Sequence, residues 1–243
     1  MKKILLSSVL VMSSAVLVAQ VTNPLKKLGQ AASGVVKNDG ASGAGLSTDQ
    51  IVAGLKEALT LGAQNSTSKL SAADGFLKDA AVKILLPEEI RKVESKMRAL
   101  GMGKLFDNAV TTMNRAAEDA SKKAAPIFLN AIKNMSIQDA LGILQGGDLS
   151  ATNFLKKATT QQLTEAFRPI IDSSLEKVNA TKYWTEVFTA YNKFSSTPVN
   201  TDLSAYVTEK SLDGIFFYVG EEEQKIRKDP GARVTDILKT VFK

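Results

Sequence analysis

The sequence predicts an all-α fold: a single compact multi-helix domain over residues 47–243, after a signal peptide at 1–19 and a flexible Gly/Ala/Ser-rich tether at 20–46. Three observations predict it. Beyond Ser47, apolar residues recur at intervals of three and four, the spacing of one helix face. Helix start and stop residues punctuate that pattern at short intervals. Nothing in the chain reads convincingly as a strand.

The order of elements follows from that punctuation. Ser47 with Gln50 forms a capping box, and Ile51, Val52, Leu55, Ala58, Leu59 and Gly62 continue as one stripe. Pro87 takes the first position of a second helix, with Glu88 and Glu89 in its first turn, a stripe through Ile90, Val93, Met97 and Leu100, and Gly101 at its end. A long helix from about Lys104 carries Met113, Ala116, Ala117, Ala120 and Ala124 inward, and Pro126 should kink or divide it. Ser136 to Gln145 is a short helix stopped by Gly146 and Gly147, and "DLSATNFLKKAT" supplies another. Thr160 to Asn179 follows with Pro169 as a bend, then a helix around Trp184 and Phe188. After the loop "SSTPVNTD", Leu203 to Lys228 is one long helix broken at Asp229, Pro230 and Gly231, and Val234 to Val241 is the last short one. No second linker divides this run of eight to ten helices, so one domain is expected.

The N-terminus reads as an export signal. Lys2 and Lys3 precede an apolar run from Ile4 to Val18 and a small residue, Ala19. The run is shorter than the roughly 20 residues of a membrane span, and four serines dilute it. Periplasmic or secreted location follows. Residues 20–46 hold too few large apolar groups to fold alone.

Composition excludes much chemistry. The chain has no His and no Cys, which removes Ser-His-Asp triads, Cys nucleophiles and ordinary zinc sites. It carries no acidic calcium-loop pattern and no phosphate-cradle motif, so no cofactor and no metal are expected. A net charge of +6, of which the leader contributes Lys2 and Lys3, is too evenly mixed with carboxylates for nucleic acid. Peripheral attraction to an envelope surface remains compatible with it.

Two constellations stand out. In "GEEEQKIRK", Glu221 and Lys225, and Glu223 and Arg227, are four apart and read as solvated surface pairs. Glu222 is three residues from Val219 and four from Ile226 on the apolar stripe, so it needs a partner. Arg233 and Arg115 are favoured, with Lys122, Arg168 and Arg227 as further candidates. Three readings stay open for Glu222: a buried ion pair fixing helix register, a ligand-facing acid, or exposure at a helix end. In "TTMNRAAEDASKK", Arg115, Glu118 and Asp119 share one flank as a second polar network. "DGF" at 74–76 reads as a turn, and Gly214 in "DGIFF" as a point of close helix packing.

Several spaced motifs in order carry a family resemblance: "GLKEAL", "DGF", "LP", "MNRAAE", "DALGILQGG", "LDGIF" and "EEEQKIRKDPGARVTDILK". Over Leu46 to Phe242 the chain resembles an exported bacterial family known only as domain of unknown function 4197. The resemblance implies an exported, helical, single-domain protein and transfers no activity. It also implies that Arg115, Glu118, Glu222, Arg227 and Arg233 belong to recurring motifs.

Three function classes are compatible with these readings. The first is an exported helical binding or scaffold protein, without chemistry, whose grooves take a protein partner or a small apolar ligand. The second is a cell-wall glycan hydrolase using carboxylates alone, with Glu118 and Glu222 as acid and base candidates. The third is a lipid carrier or envelope-surface binder.

Overall fold

The structure is a computed structural model that describes residues 47–99, 101, 103–193, 198, 201–229 and 239. The expected signal peptide, tether and final helix, with Arg233, lie outside these residues. The described residues all belong to the compact unit Leu46–Lys243 and form eight helices among them, with no strand. These are α1 (Thr48–Ser71), α2 (Glu88–Ala99), α3 (Gly103–Ser121), α4 (Ala124–Lys133), α5 (Ile137–Gln145), α6 (Ser150–Glu176), α7 (Ala180–Asn192) and α8 (Leu203–Lys228). No helix of the described residues is long and apolar enough to cross a membrane.

The capping signals act as their chemistry dictates. Ser47 and Gln50 close a reciprocal capping box at the start of α1, and Ser136 does the same with Asp139 at α5. The Ser136 side chain and backbone N–H hold the Asp139 carboxyl below its ordinary pKa. Asp202 caps α8 through the Ala205 N–H at 2.9 Å and pairs with Arg168 of α6. The expected division near Pro126 is present, and one boundary differs from expectation. The helix from Lys104 ends at Ser121, and Pro126 falls in the first turn of the new helix α4, where its missing N–H is harmless. The two helices expected across 150–179 are one, α6, with Pro169 inside it. Its buried row of Leu155, Thr159, Leu163, Phe167, Ile171 and Leu175 runs unbroken at intervals of four. Thr159 hides that continuity in the sequence, and its hydroxyl is satisfied by the Leu155 carbonyl at 2.7 Å.

The long helices α1 and α6 both pack on α8, with α3 against α6 and α4 against both α1 and α6. Phe76, Phe128 and Phe167 are fully buried at the centre, and Phe128 meets Phe216 edge-on at 5.8 Å. Close approach is achieved by small residues whose polar groups are satisfied locally. Ser66, Thr67, Ser121 and Ser211 are all buried, and each donates to the carbonyl four residues back. Gly214 serves the same end, because a Cβ there would stand 2.7 Å from the Phe76 ring. In the turn of "DGF", Asp74 adopts φ +69 and a Cβ on Gly75 would lie 2.4 Å from the Lys69 carbonyl.

Candidate functional site

Two helices each send one carboxylate into a distant stretch of backbone. Glu223 of α8 is 7 % exposed. Its oxygens accept the backbone N–H groups of Ala151 at 3.0 Å and Thr152 at 2.8 Å, and the Thr152 hydroxyl at 2.7 Å. Those amides are the open donors at the start of α6, whose own N-cap residue, Leu149, provides no side-chain cap. A negative group at this helix end is favoured by the dipole as well as by hydrogen bonding. Arg227 completes the corner: its Nε donates to Glu223 at 2.9 Å, and one terminal nitrogen donates to the Ile143 carbonyl at 2.9 Å and the Ser150 hydroxyl at 2.8 Å. The cluster therefore ties α5, α6 and α8 together.

Glu118 of α3 does the same work elsewhere. It accepts the N–H groups of Phe76 and Leu77, both at 3.1 Å, and Arg115 at 2.6 Å. Arg115 also reaches Asp74 at 2.6 Å. "MNRAAE" is thus a clamp on "DGF". The Asn114 of that motif grips a second stretch, donating to the Ile84 carbonyl at 2.8 Å and accepting the Ile84 N–H at 2.8 Å. The side-chain amide takes the place that a neighbouring strand residue would occupy.

Glu222 departs from expectation. It is half-buried and accepts from Asn65 of α1 at 2.8 Å and from Lys225, while Arg115 pairs with Glu118 and Asp74 instead, and Arg233 lies outside the described residues. Arg115, Lys122, Arg168 and Arg227 are held by Glu118, Asp119, Asp202 and Glu223 respectively. Glu223, read from the sequence as a solvated residue, is the buried one. Both lie within three or four residues of Val219 and Ile226, so the stripe is wide enough to contain each: the 222 edge faces α1 and the 223 edge faces α6. Spacing within one helix could not say which neighbour offers unsatisfied donors.

A third cluster joins the loop after α1 to α8. Asp79 accepts from the Tyr218 hydroxyl, from Lys69 at 3.0 Å and from the Ala81 N–H at 3.0 Å, while Lys69 lies 3.7 Å over the Tyr218 ring. Burial opposes ionisation of Asp79, but these donors outweigh it and hold its carboxyl below the ordinary range. Burial and the adjacent carboxylate push the Tyr218 hydroxyl up.

Open space lies beside these clamps. A small cleft of about 20 Å³ between α1 and α8, edged by Glu223 and Arg227, has room for about one water. A groove of about 550 Å³ runs between residues 81–88 and the α8 face bearing Tyr206, Lys210 and Phe217. Residues 82–86 alternate strictly, with Val82, Ile84 and Leu86 buried and Lys83 and Leu85 exposed, which marks an extended segment with one side on the core. Tyr206 donates to the Leu85 carbonyl at 2.8 Å across the groove. Two large apolar side chains on its walls face solvent, Leu85 at 46 % and Phe217 at 45 %. Neither Glu118 nor Glu222 lines either space. The sequence conceals this site, because Leu85 interrupts the polar beat of "AVKILLP" and the outward-facing Phe217 looks like its inward neighbour Phe216.

The fold and its clamps define an all-helical domain organised by buried carboxylates that bind backbone. A family model, that of a protein of unknown function (DUF4197), matches residues 45–243, and the chain belongs to that family. No curated protein and no solved structure matches it.

Proposed function

We propose that the chain is an exported helical binding or scaffold protein without catalytic activity, and that its ligand site is the groove between residues 81–88 and α8. One observation carries this reading. The groove has the volume of an ordinary small-ligand site, roughly 300 to 1,000 Å³, and it is where large apolar groups are left facing solvent inside a concavity. The candidate acids point away from chemistry. Glu118 has both oxygens engaged by internal donors, and Glu222 is turned to Asn65 and Lys225. A hydrolytic pair has to face one substrate across a cleft. The export part of the reading rests on Lys2, Lys3 and the short apolar run that follows.

Native mass spectrometry of protein purified from the cell envelope tests the proposal. A co-purifying ligand is expected, and Phe217→Asp should release it without lowering the melting temperature. An envelope protein that carries nothing and takes up nothing at the groove sinks the binding reading. Recovery from the cytoplasm with Met1 intact sinks export.

A further inference from the structure

The groove's extended wall is fully paired on its inner side and half paired on its outer side. In an extended chain the N–H and C=O of one residue point the same way, and those of its neighbours point the opposite way. Asn114 saturates both groups of Ile84 on the inner side. On the outer side the Lys83 N–H bonds the Asp79 carbonyl at 2.9 Å and the Leu85 carbonyl accepts from Tyr206. That leaves the Lys83 carbonyl and the Leu85 N–H, which flank Ile84 and have no partner among the described residues. One acceptor and one donor at that spacing are what a single residue of a parallel strand engages with its own N–H and C=O.

The charges around this gap are unequal. Arg91 pairs with Glu88 at 2.7 Å and Lys210 with Asp213 at 3.1 Å, so each of those cations is answered from within the groove. Lys83 has no carboxylate against it among the described residues. Beside the gap there is therefore one unanswered cation at position 83 and one exposed apolar side chain at position 85.

Resting on the groove as the ligand site, we infer that its ligand is an extended peptide segment, which adds as a parallel strand to residues 83–85. One peptide residue donates its N–H to the Lys83 carbonyl and accepts the Leu85 N–H. The residue before it is acidic and lies beside Lys83, and the residue after it is apolar and lies beside Leu85. Strand addition of this kind draws affinity from main-chain hydrogen bonds and selectivity from alternate side chains. The segment is ready for it, because Asn114 already holds the backbone extended.

A pool of end-capped hexapeptides with randomised side chains, passed over the immobilised protein, tests this. Peptides with an acidic residue two places before an apolar one should be enriched. N-methylation of the intervening residue should weaken the best of them by at least about tenfold, the factor expected for one lost hydrogen bond of about 1.4 kcal/mol. Leu85→Pro removes the other donor and should do the same. Lys83→Glu, a change on an exposed side chain, should shift the enrichment from acidic to basic residues, and serves if Leu85→Pro disturbs the fold. Enriched peptides indifferent to N-methylation and to Lys83→Glu would overturn strand addition while leaving the groove as a site. No enrichment, with an apolar dye such as anilinonaphthalene sulfonate bound and displaced by Phe217→Asp, would overturn the peptide class alone. If neither peptide nor dye binds, the inference and the groove reading fall together.

Discussion

The corner around Glu223 and the edge at residues 83–85 set the same problem and solve it differently. Each presents backbone donors and acceptors that no helix satisfies. At the corner the Ala151 and Thr152 N–H groups and the Ile143 carbonyl are answered from inside the chain, by Glu223, Arg227 and the Ser150 hydroxyl. At the edge Asn114 answers one side and leaves a carbonyl and an N–H open on the other. Polar residues that are fully spent hold the fold, whereas those left unspent, in a concave and partly apolar setting, are where a ligand can be held.

The sharpest way to break that contrast is at Glu223. Replacing it by Ala strands two helix-end amides and removes the Glu223 carboxylate from Arg227, itself 15 % exposed. Chemical denaturation should record a loss of roughly 3 to 5 kcal/mol, the range for breaking a buried pair. Glu118→Ala should follow at about 2 to 3 kcal/mol, since it releases the Phe76 and Leu77 amides but leaves an Arg115 that already meets solvent and Asp74. Asn114→Ala should cost about 1 to 3 kcal/mol. It should also raise hydrogen exchange in residues 83–87 before any other segment, because only there does it remove the inner tether. Glu222→Ala should stay below about 1 kcal/mol, since Asn65 and Lys225 can turn to water. Equal losses at 222 and 223 would erase the distinction between spent and surface carboxylates.

The smallest effect concerns pH. Asp79 has its folded pKa depressed below the ordinary 3.8, so its contribution is complete above that value and is lost as pH falls through the folded pKa. Asp79→Asn should therefore flatten the acid limb of the stability profile below about pH 4 and leave the slope near neutrality unchanged. A variant that loses stability with acid as steeply as the parent would remove Asp79 from the account.

How far the sequence could be read follows the same division. Helix identities, the division near Pro126, the turn at "DGF" and the packing role of Gly214 are legible because period, caps and glycine act locally. The unity of α6 was obscured by Thr159, a polar residue that satisfies itself inside the helix. For the polar networks, the sequence picks out Arg115 and Glu118 but reads Glu223 and Arg227 as a solvated pair and so misplaces the buried acid by one residue. The decisive fact, uncapped amides at 151 and 152, lies 72 and 71 residues away from Glu223. The groove was illegible for a related reason: its wall becomes extended only because Asn114 reaches it from another helix.

That separation also bears on the order in which the domain can form. A chain delivered from its N-terminus presents α6 long before Glu223 and Arg227 exist to cap it. The corner joining α5, α6 and α8 can close only when nearly the whole domain has emerged. Closing contacts across such distances in sequence slows folding and leaves early fragments without a stable state of their own. Under the proposed export, a fold that cannot finish before its last long helix arrives would stay threadable for as long as threading lasts.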